Sequence, residues 1–203
     1  MTDSPDPRQP RFALVLHPAD PAATPRAVGA LVAVLQATGL AGAAFACAAQ
    51  TRYLPGPRYL ELVTFLGCSP FVQLEPPDGV ADPCQTLDRF CHLSISDTGA
   101  QPRLRRTSTA PAPRCPSCRR PVEDWASLVA DGALGVATAP WTCPGCGRAS
   151  PAHTLDWRQA AGLARVFVSL WGIHPGEAVP GDELLAALAD ATGGPWRWFY
   201  EQA

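Results

Sequence analysis

No lysine occurs anywhere in the 203 residues; all 16 basic residues are arginine, and methionine is confined to position 1. Together with abundant Ala and Pro, this bias reads as the codon usage of a GC-rich bacterial genome, not as a functional signal. The phosphate-loop pattern G-x-x-x-x-G-K-[ST] is absent, as are G-x-G-x-x-G, G-x-S-x-G and H-E-x-x-H, so nothing nominates a nucleotide, dinucleotide, serine-hydrolase or zinc-protease site. Charge is also short. The formal net charge is −2 and the isoelectric point about 6.0, which gives no global attraction to nucleic acid or to an anionic membrane. Between Ala27 and Thr51 there is no charge at all. That stretch is long enough to raise a membrane span, but Gln36, Thr38, Gly39 and Gly42 interrupt it and most of its apolar residues are Ala, so a helix followed by a strand is expected instead.

What the chain does contain is 47% hydrophobic residues, enough for a buried core, and eight cysteines. Four of them fall in two pairs, Cys115-Pro-Ser-Cys118 and Cys143-Pro-Gly-Cys146-Gly147, with twenty-four residues between the pairs. Two C-x2-C turns present four thiolates to one point, the tetrahedral set of a structural zinc. Paired spacing of this kind argues against a secreted disulfide framework, and a reducing cytoplasm is the expected compartment. Thiol redox exchange, the other chemistry of C-P-x-C, is disfavoured by Pro121 and Gly147 closely following the pairs and by the lack of a convincing buried strand directly before either.

These pairs resemble the knuckles of the zinc-ribbon family, the second matching C-P-x-C-G residue for residue. The first departs from it, with Arg119, Arg120 and Pro121 following Cys118 where Gly is typical, which implies a less regular turn. The resemblance spans about residues 112–153 and implies one structural zinc held by Cys115, Cys118, Cys143 and Cys146, without an open coordination position for catalysis. His153 is near enough in sequence to be an alternative ligand that four cysteines make unnecessary.

The remaining segments suggest an α+β fold. Residues 1–11 read as a disordered tail. Over 12–106, a buried strand from Phe12 to Leu16, a helix capped at Thr24-Pro25 and closed at Gly39, a strand over 40–48, a helix over 59–66, and a long-looped hairpin of 71–75 with 89–96 compose a layered α/β domain with a mixed sheet; 102–107 adds an edge strand. Thr107 to Pro113 has linker composition. A zinc ribbon with a long insert then occupies 114–153, the insert carrying a short helix within 126–136. In 154–203, Leu163, Val166, Phe167, Leu170 and Trp171 recur at helical spacing behind an Asp156/Gln159 capping box, and a second helix starts at Asp182-Glu183. Trp196-Arg-Trp-Phe-Tyr200 alternates as a short terminal strand that either seals the core or presents an aromatic face to a partner.

Three functions are compatible with these features. The first is a zinc-binding bacterial adaptor or accessory protein that meets a protein partner. The second is nucleic-acid binding through Arg103, Arg105, Arg106, Arg114, Arg119 and Arg120, since no acidic residue lies between Asp97 and Glu123. The third is an enzyme using Cys68, Cys91 or His92. Cys68, Cys84, Cys91 and His92, with Cys47 to spare, also form a possible second ligand set, although isolated cysteines are more often buried apolar residues.

Overall fold

The structure, a computed structural model, describes residues 12–21, 23, 28–48, 50–67, 72–130 and 140–202. Expectations for the tail at 1–11, the Thr24-Pro25 cap, Cys68, Phe71 and the insert after residue 130 lie outside them. In chain order the elements are β1 (Phe12–Pro18), α1 (Val28–Ala37), β2 (Ala41–Cys47), β3 (Gln50–Pro55), α2 (Tyr59–Leu62), β4 (Val63–Phe65), β5 (His92–Asp97), β6 (Arg103–Arg106) and α3 (Trp125–Ala130). They continue with β7 (Pro140–Thr142), β8 (Ala149–Pro151), β9 (Ala161–Ala164), β10 (Val166–Trp171), β11 (Ala178–Pro180), α4 (Asp182–Thr192) and β12 (Trp196–Gln202).

Six strands form one sheet in the order β12-β1-β10-β5-β3-β2, and every neighbouring pair is antiparallel. The expectation of a mixed sheet is therefore corrected. Strands from 154–203 lie on both sides of β1, so the two ends of the chain share one sheet. The expected 71–75/89–96 hairpin is reduced, among the described residues, to one backbone bond from Cys91 N to Gln73 O at 2.7 Å; the ladder partners of β5 are β10 and β3. Of the helix expected over 59–66, only Tyr59–Leu62 is helical, and Val63–Phe65 pairs with β11.

The two C-terminal helices reduce to one. Residues 161–171, read as helix from their apolar spacing, are β9 and β10, and every residue of both strands is buried except the Arg165 that separates them. A strand covered on both faces has no polar alternation, so its continuous apolar run meets a helical template by accident. The Asp156/Gln159 box is a turn: Asp156 Oδ1 accepts from Arg158 N at 2.9 Å, with Arg158 at φ 51° and Gln159 at φ 59°. The second helix is α4, ending at Gly193 in the left-handed region with φ 77°.

The two faces of the large sheet differ in chemistry. On one, Leu14, Leu16, Leu93, Val168 and Leu170 pack under α1 (Leu31, Leu35) and α4 (Leu184, Leu188), an apolar core of ordinary kind. On the other, the register lines up Glu201, Ala13, Trp171 and His92 in one cross-strand row and Phe199, Val15, Ser169, Ser94 and Arg52 in the next. This second face is buried and largely polar. It is covered by the paired β6 and β9, which bring Arg105 and Gly162 down onto it.

Candidate metal centre

Each cysteine pair closes by the same pair of backbone hydrogen bonds. Arg119 N donates to Cys115 O at 3.0 Å and Cys115 N to Arg120 O at 2.9 Å; Gly147 N donates to Cys143 O at 2.8 Å and Cys143 N to Arg148 O at 2.9 Å. Both turns need a left-handed residue after the second cysteine. Gly147 supplies it at φ 69° and Arg119 at φ 64°. The less regular first turn expected from the missing glycine is thus corrected: Arg119 adopts the glycine conformation, at a cost of about 1–2 kcal/mol, and its side chain is anchored by an ion pair with Asp156.

The four Sγ atoms lie within 4.8 Å of one another. Cys115 and Cys146 are 4.0 Å apart, and Cys118 and Cys143 3.7 Å. A tetrahedron with metal–sulfur bonds of about 2.3 Å has sulfur–sulfur edges of about 3.8 Å, so the four cysteines are positioned to bind a metal ion, and the all-thiolate donor set suits a soft one such as zinc. The thiols are electrostatically unequal. The backbone N–H of Cys118 holds Cys115 down to about 6 against desolvation. Cys146 is pushed up to about 11: the N–H of Arg148 lowers it, but desolvation and the neighbouring thiols outweigh that. A dication shared by all four sulfurs removes this conflict and releases the remaining protons.

The centre sits on its own small core. Val122, Trp141, Leu155, Trp157 and Leu163 are buried around Cys115 and Cys143, and Trp125 meets Trp157 edge-on at 5.3 Å. This cluster is tied to the polypeptide beyond it by Arg114 and Asp156, which exchange two backbone hydrogen bonds of 2.9 Å.

The arginines of the 103–120 stretch are divided among different tasks. Arg105 is forked onto Glu201, donates to Ser169 Oγ at 2.9 Å, and lies over the Phe167 and Trp171 rings. Arg106 lies over Trp125 at 5.2 Å, Arg119 pairs with Asp156, and Arg120 lies against Gly145, where a Cβ would come within 2.6 Å of Arg120 Cδ. Arg103 is exposed and Arg114 half-buried.

The second ligand set is not brought together. Cys47 and Cys84 form a disulfide that ties the end of β2 to the helical turn at 83–86, so neither is the reduced thiol expected. Burial pushes the Cys91 thiol up to about 11, with Glu177 adding to it, and this side chain is only 4% exposed. His92 is fully buried. Its Nδ1 lies 3.2 Å from Phe90 O and its Nε2 2.6 Å from Arg52 Nη1. Since a carbonyl only accepts and a guanidinium only donates, Nδ1 carries the proton and Nε2 accepts. Burial and the Arg52 charge hold this imidazole down to about 3, hence neutral. Among the described residues, the four paired cysteines are the one metal-type cluster.

Sequence reasoning missed the buried polar face itself. Arg52 (3% exposed), His92, Ser94, Ser169 and Glu201 are all buried, and Trp171 Nε1 donates to Ser94 Oγ at 2.8 Å between the guanidiniums of Arg52 and Arg105, each about 6 Å from its ring. The available signal was Ser169 inside an otherwise apolar run, and Ser94 and Ser96 at alternate positions of one strand.

No family model matches this chain, and neither a curated protein nor a solved structure matches it. No described helix is long and apolar enough to cross a membrane.

Proposed function

We propose that this chain is a zinc-binding bacterial adaptor or accessory protein, acting through protein–protein interaction, with one zinc as a structural element of a ribbon-like segment; the Cys47–Cys84 disulfide does not favour the reducing cytoplasm expected from the paired cysteines. The observation that carries the metal's role is the four-thiol cluster, whose sulfur separations of 3.7 and 4.0 Å fit a closed tetrahedron. Four protein ligands leave no position for substrate or water, which favours scaffolding over catalysis. Zinc at this point would hold together two turns whose backbones hydrogen-bond to few other elements, and through Arg114 and Asp156 it would fix the 153–159 segment.

A protein partner is supported by the surface around β4. Leu60 is 54% and Leu66 59% exposed, the two most exposed large apolar side chains described. Leu60 lines a shallow depression with Phe65 and Val72, Leu66 follows Phe65 directly in the chain, and exposed apolar side chains of this kind mark contact sites. Affinity capture with the wild-type protein and a Leu60→Asp/Leu66→Asp variant tests this part. A partner held by the wild type and lost by the variant is expected, with melting temperatures unchanged. Identical captured sets would remove the adaptor reading while leaving the metal untouched.

A further inference from the structure

Between the metal-anchored 153–159 segment and the edge of the large sheet lies a cleft of about 220 Å³ that neither the metal nor the exposed leucines use. It is lined by His17, His153, Asp156, Arg158, Gly162 and Arg197, among others.

One of these side chains presents an unused acceptor. His17 is 6% exposed and lies between Phe167 and Phe199, with ring centroids at 6.0 and 5.8 Å. Its Nδ1 is 2.8 Å from Pro18 O, so Nδ1 bears the proton and Nε2 a lone pair. Burial, reinforced by the Arg197 charge, holds the imidazole down to about 4 and therefore neutral. Nε2 has no hydrogen-bond partner among the described residues. Gly162 lies against the ring, where a Cβ would fall 2.5 Å from Nε2; any other residue there would displace the imidazole. His153, also at the cleft, has a buried Nδ1 that finds no partner. An acceptor with no protein partner on a 6% exposed ring at the wall of a cleft points to a ligand that donates to it.

The charge of the cleft is positive. Arg158 and Arg197 stand at its rim, while the carboxylate of Asp156 is already engaged by Arg119 and by the N–H of Arg158. The rim is also strained: Arg158 and Gln159 are consecutive non-glycine residues at φ 51° and 59°, held there by that Asp156 contact and by Tyr200 N donating to Gln159 O at 3.2 Å. A metal does not suit this place, since His17, His153 and Asp156 do not converge to ligand distance.

We propose that the cleft binds a small hydroxylated organic anion, its carboxylate or phosphate on Arg158 and Arg197 and a hydroxyl group donating to Nε2 of His17. The volume equals that of about seven waters at ~30 Å³ each, which sets the ligand at a few carbon atoms. This inference is independent of the adaptor reading.

The test is calorimetric titration of the full-length, zinc-loaded protein with four probes: glycerate and glycerol 3-phosphate, which carry both features; propionate, which lacks hydroxyls; and glycerol, which lacks charge. At least one hydroxylated anion is expected to bind saturably, at least tenfold tighter than propionate or glycerol, and the better of the two distinguishes a carboxylate from a phosphate site. Arg197→Ala, on an exposed side chain, and His17→Phe should each weaken that binding at least tenfold with zinc content and melting temperature retained. Should His17→Phe melt early, Arg197→Ala alone decides. The proposal is overturned if neither hydroxylated anion binds below 10 mM, if propionate binds as well as glycerate, or if Arg197→Ala binds like the wild type.

Discussion

Arg105 and Glu201 form a forked ion pair across the polar face of the sheet, Arg105 Nε donating to Glu201 Oε1 at 2.8 Å and a second guanidinium nitrogen to Oε2. The pair is mostly enclosed, with side-chain exposures of 22% and 10%. This arginine, which in sequence stands in a run suited to a polyanion, is thereby committed to the interior.

Removing one member of such a pair strands the other. Arg105→Ala is expected to destabilise the fold by about 3 kcal/mol, and Arg105→Lys to recover little, because a single ammonium cannot reproduce the two-pronged contact. Urea denaturation measures both; an Arg105→Ala midpoint equal to wild type would mean that the pair contributes nothing.

Gly56 makes a different kind of demand. A Cβ there would sit 2.3 Å from Gly39 O and 2.7 Å from Gly39 C, both backbone atoms, because Gly56 N and Arg58 N donate to Leu40 O and Gly39 O and draw the two segments together. Gly56→Ala should cost about 2 kcal/mol through forced separation. Gly29, with open space around its Cβ position, is the control: Gly29→Ala lies within α1 and should stabilise by up to about 1 kcal/mol.

Acid should weaken the fold in a defined window. His17 and His92 are held down to about 4 and about 3, below an ordinary value of 6.5. In each case desolvation is the main cause, with Arg197 or Arg52 adding to it. The unfolded chain therefore binds the extra protons. Stability is complete above pH 6.5 and declines as pH falls toward 4, by about 1.4 kcal/mol per pH unit for each imidazole. His17→Phe should reduce that slope by about one proton. Equal slopes for variant and wild type, measured by chemical denaturation between pH 7 and 4.5, would contradict the assignment.

Where the sequence was legible and where it was not follows from how each element is buried. Phe12–Pro18, α4 with its Gly193 stop, and the terminal strand through Trp196 and Phe199 each carry a local pattern or stop signal, and they appear where expected. The Cys115/Cys118 and Cys143/Cys146 spacing was equally legible, since the thiols must converge whatever the surrounding fold. Val166–Trp171 was not: buried on both faces, with Phe167 and Trp171 toward the polar layer and Val168 and Leu170 toward the helices, it has no exposed side to break the apolar run. The Arg52–His92 contact joins residues 40 positions apart through strand pairing, and no local spacing announces it.

The Cys47–Cys84 bond was likewise invisible, because neither residue belongs to a motif and only the approach of the 83–86 turn to the end of β2 brings them together. Alkylation of denatured protein prepared without reductant should leave these two cysteines unlabelled and label Cys91; labelling of Cys47 and Cys84 at once would show them reduced.

The central claim is that zinc bound by Cys115, Cys118, Cys143 and Cys146 is structural, and elemental analysis of the purified protein combined with a melt before and after chelation tests it most directly. About one zinc per chain is expected, with a melting temperature lowered on removal, restored on adding zinc back, and a Cys118→Ser/Cys143→Ser variant that neither holds zinc nor responds to it. Metal-free protein that melts at the same temperature as the zinc-loaded form would contradict it.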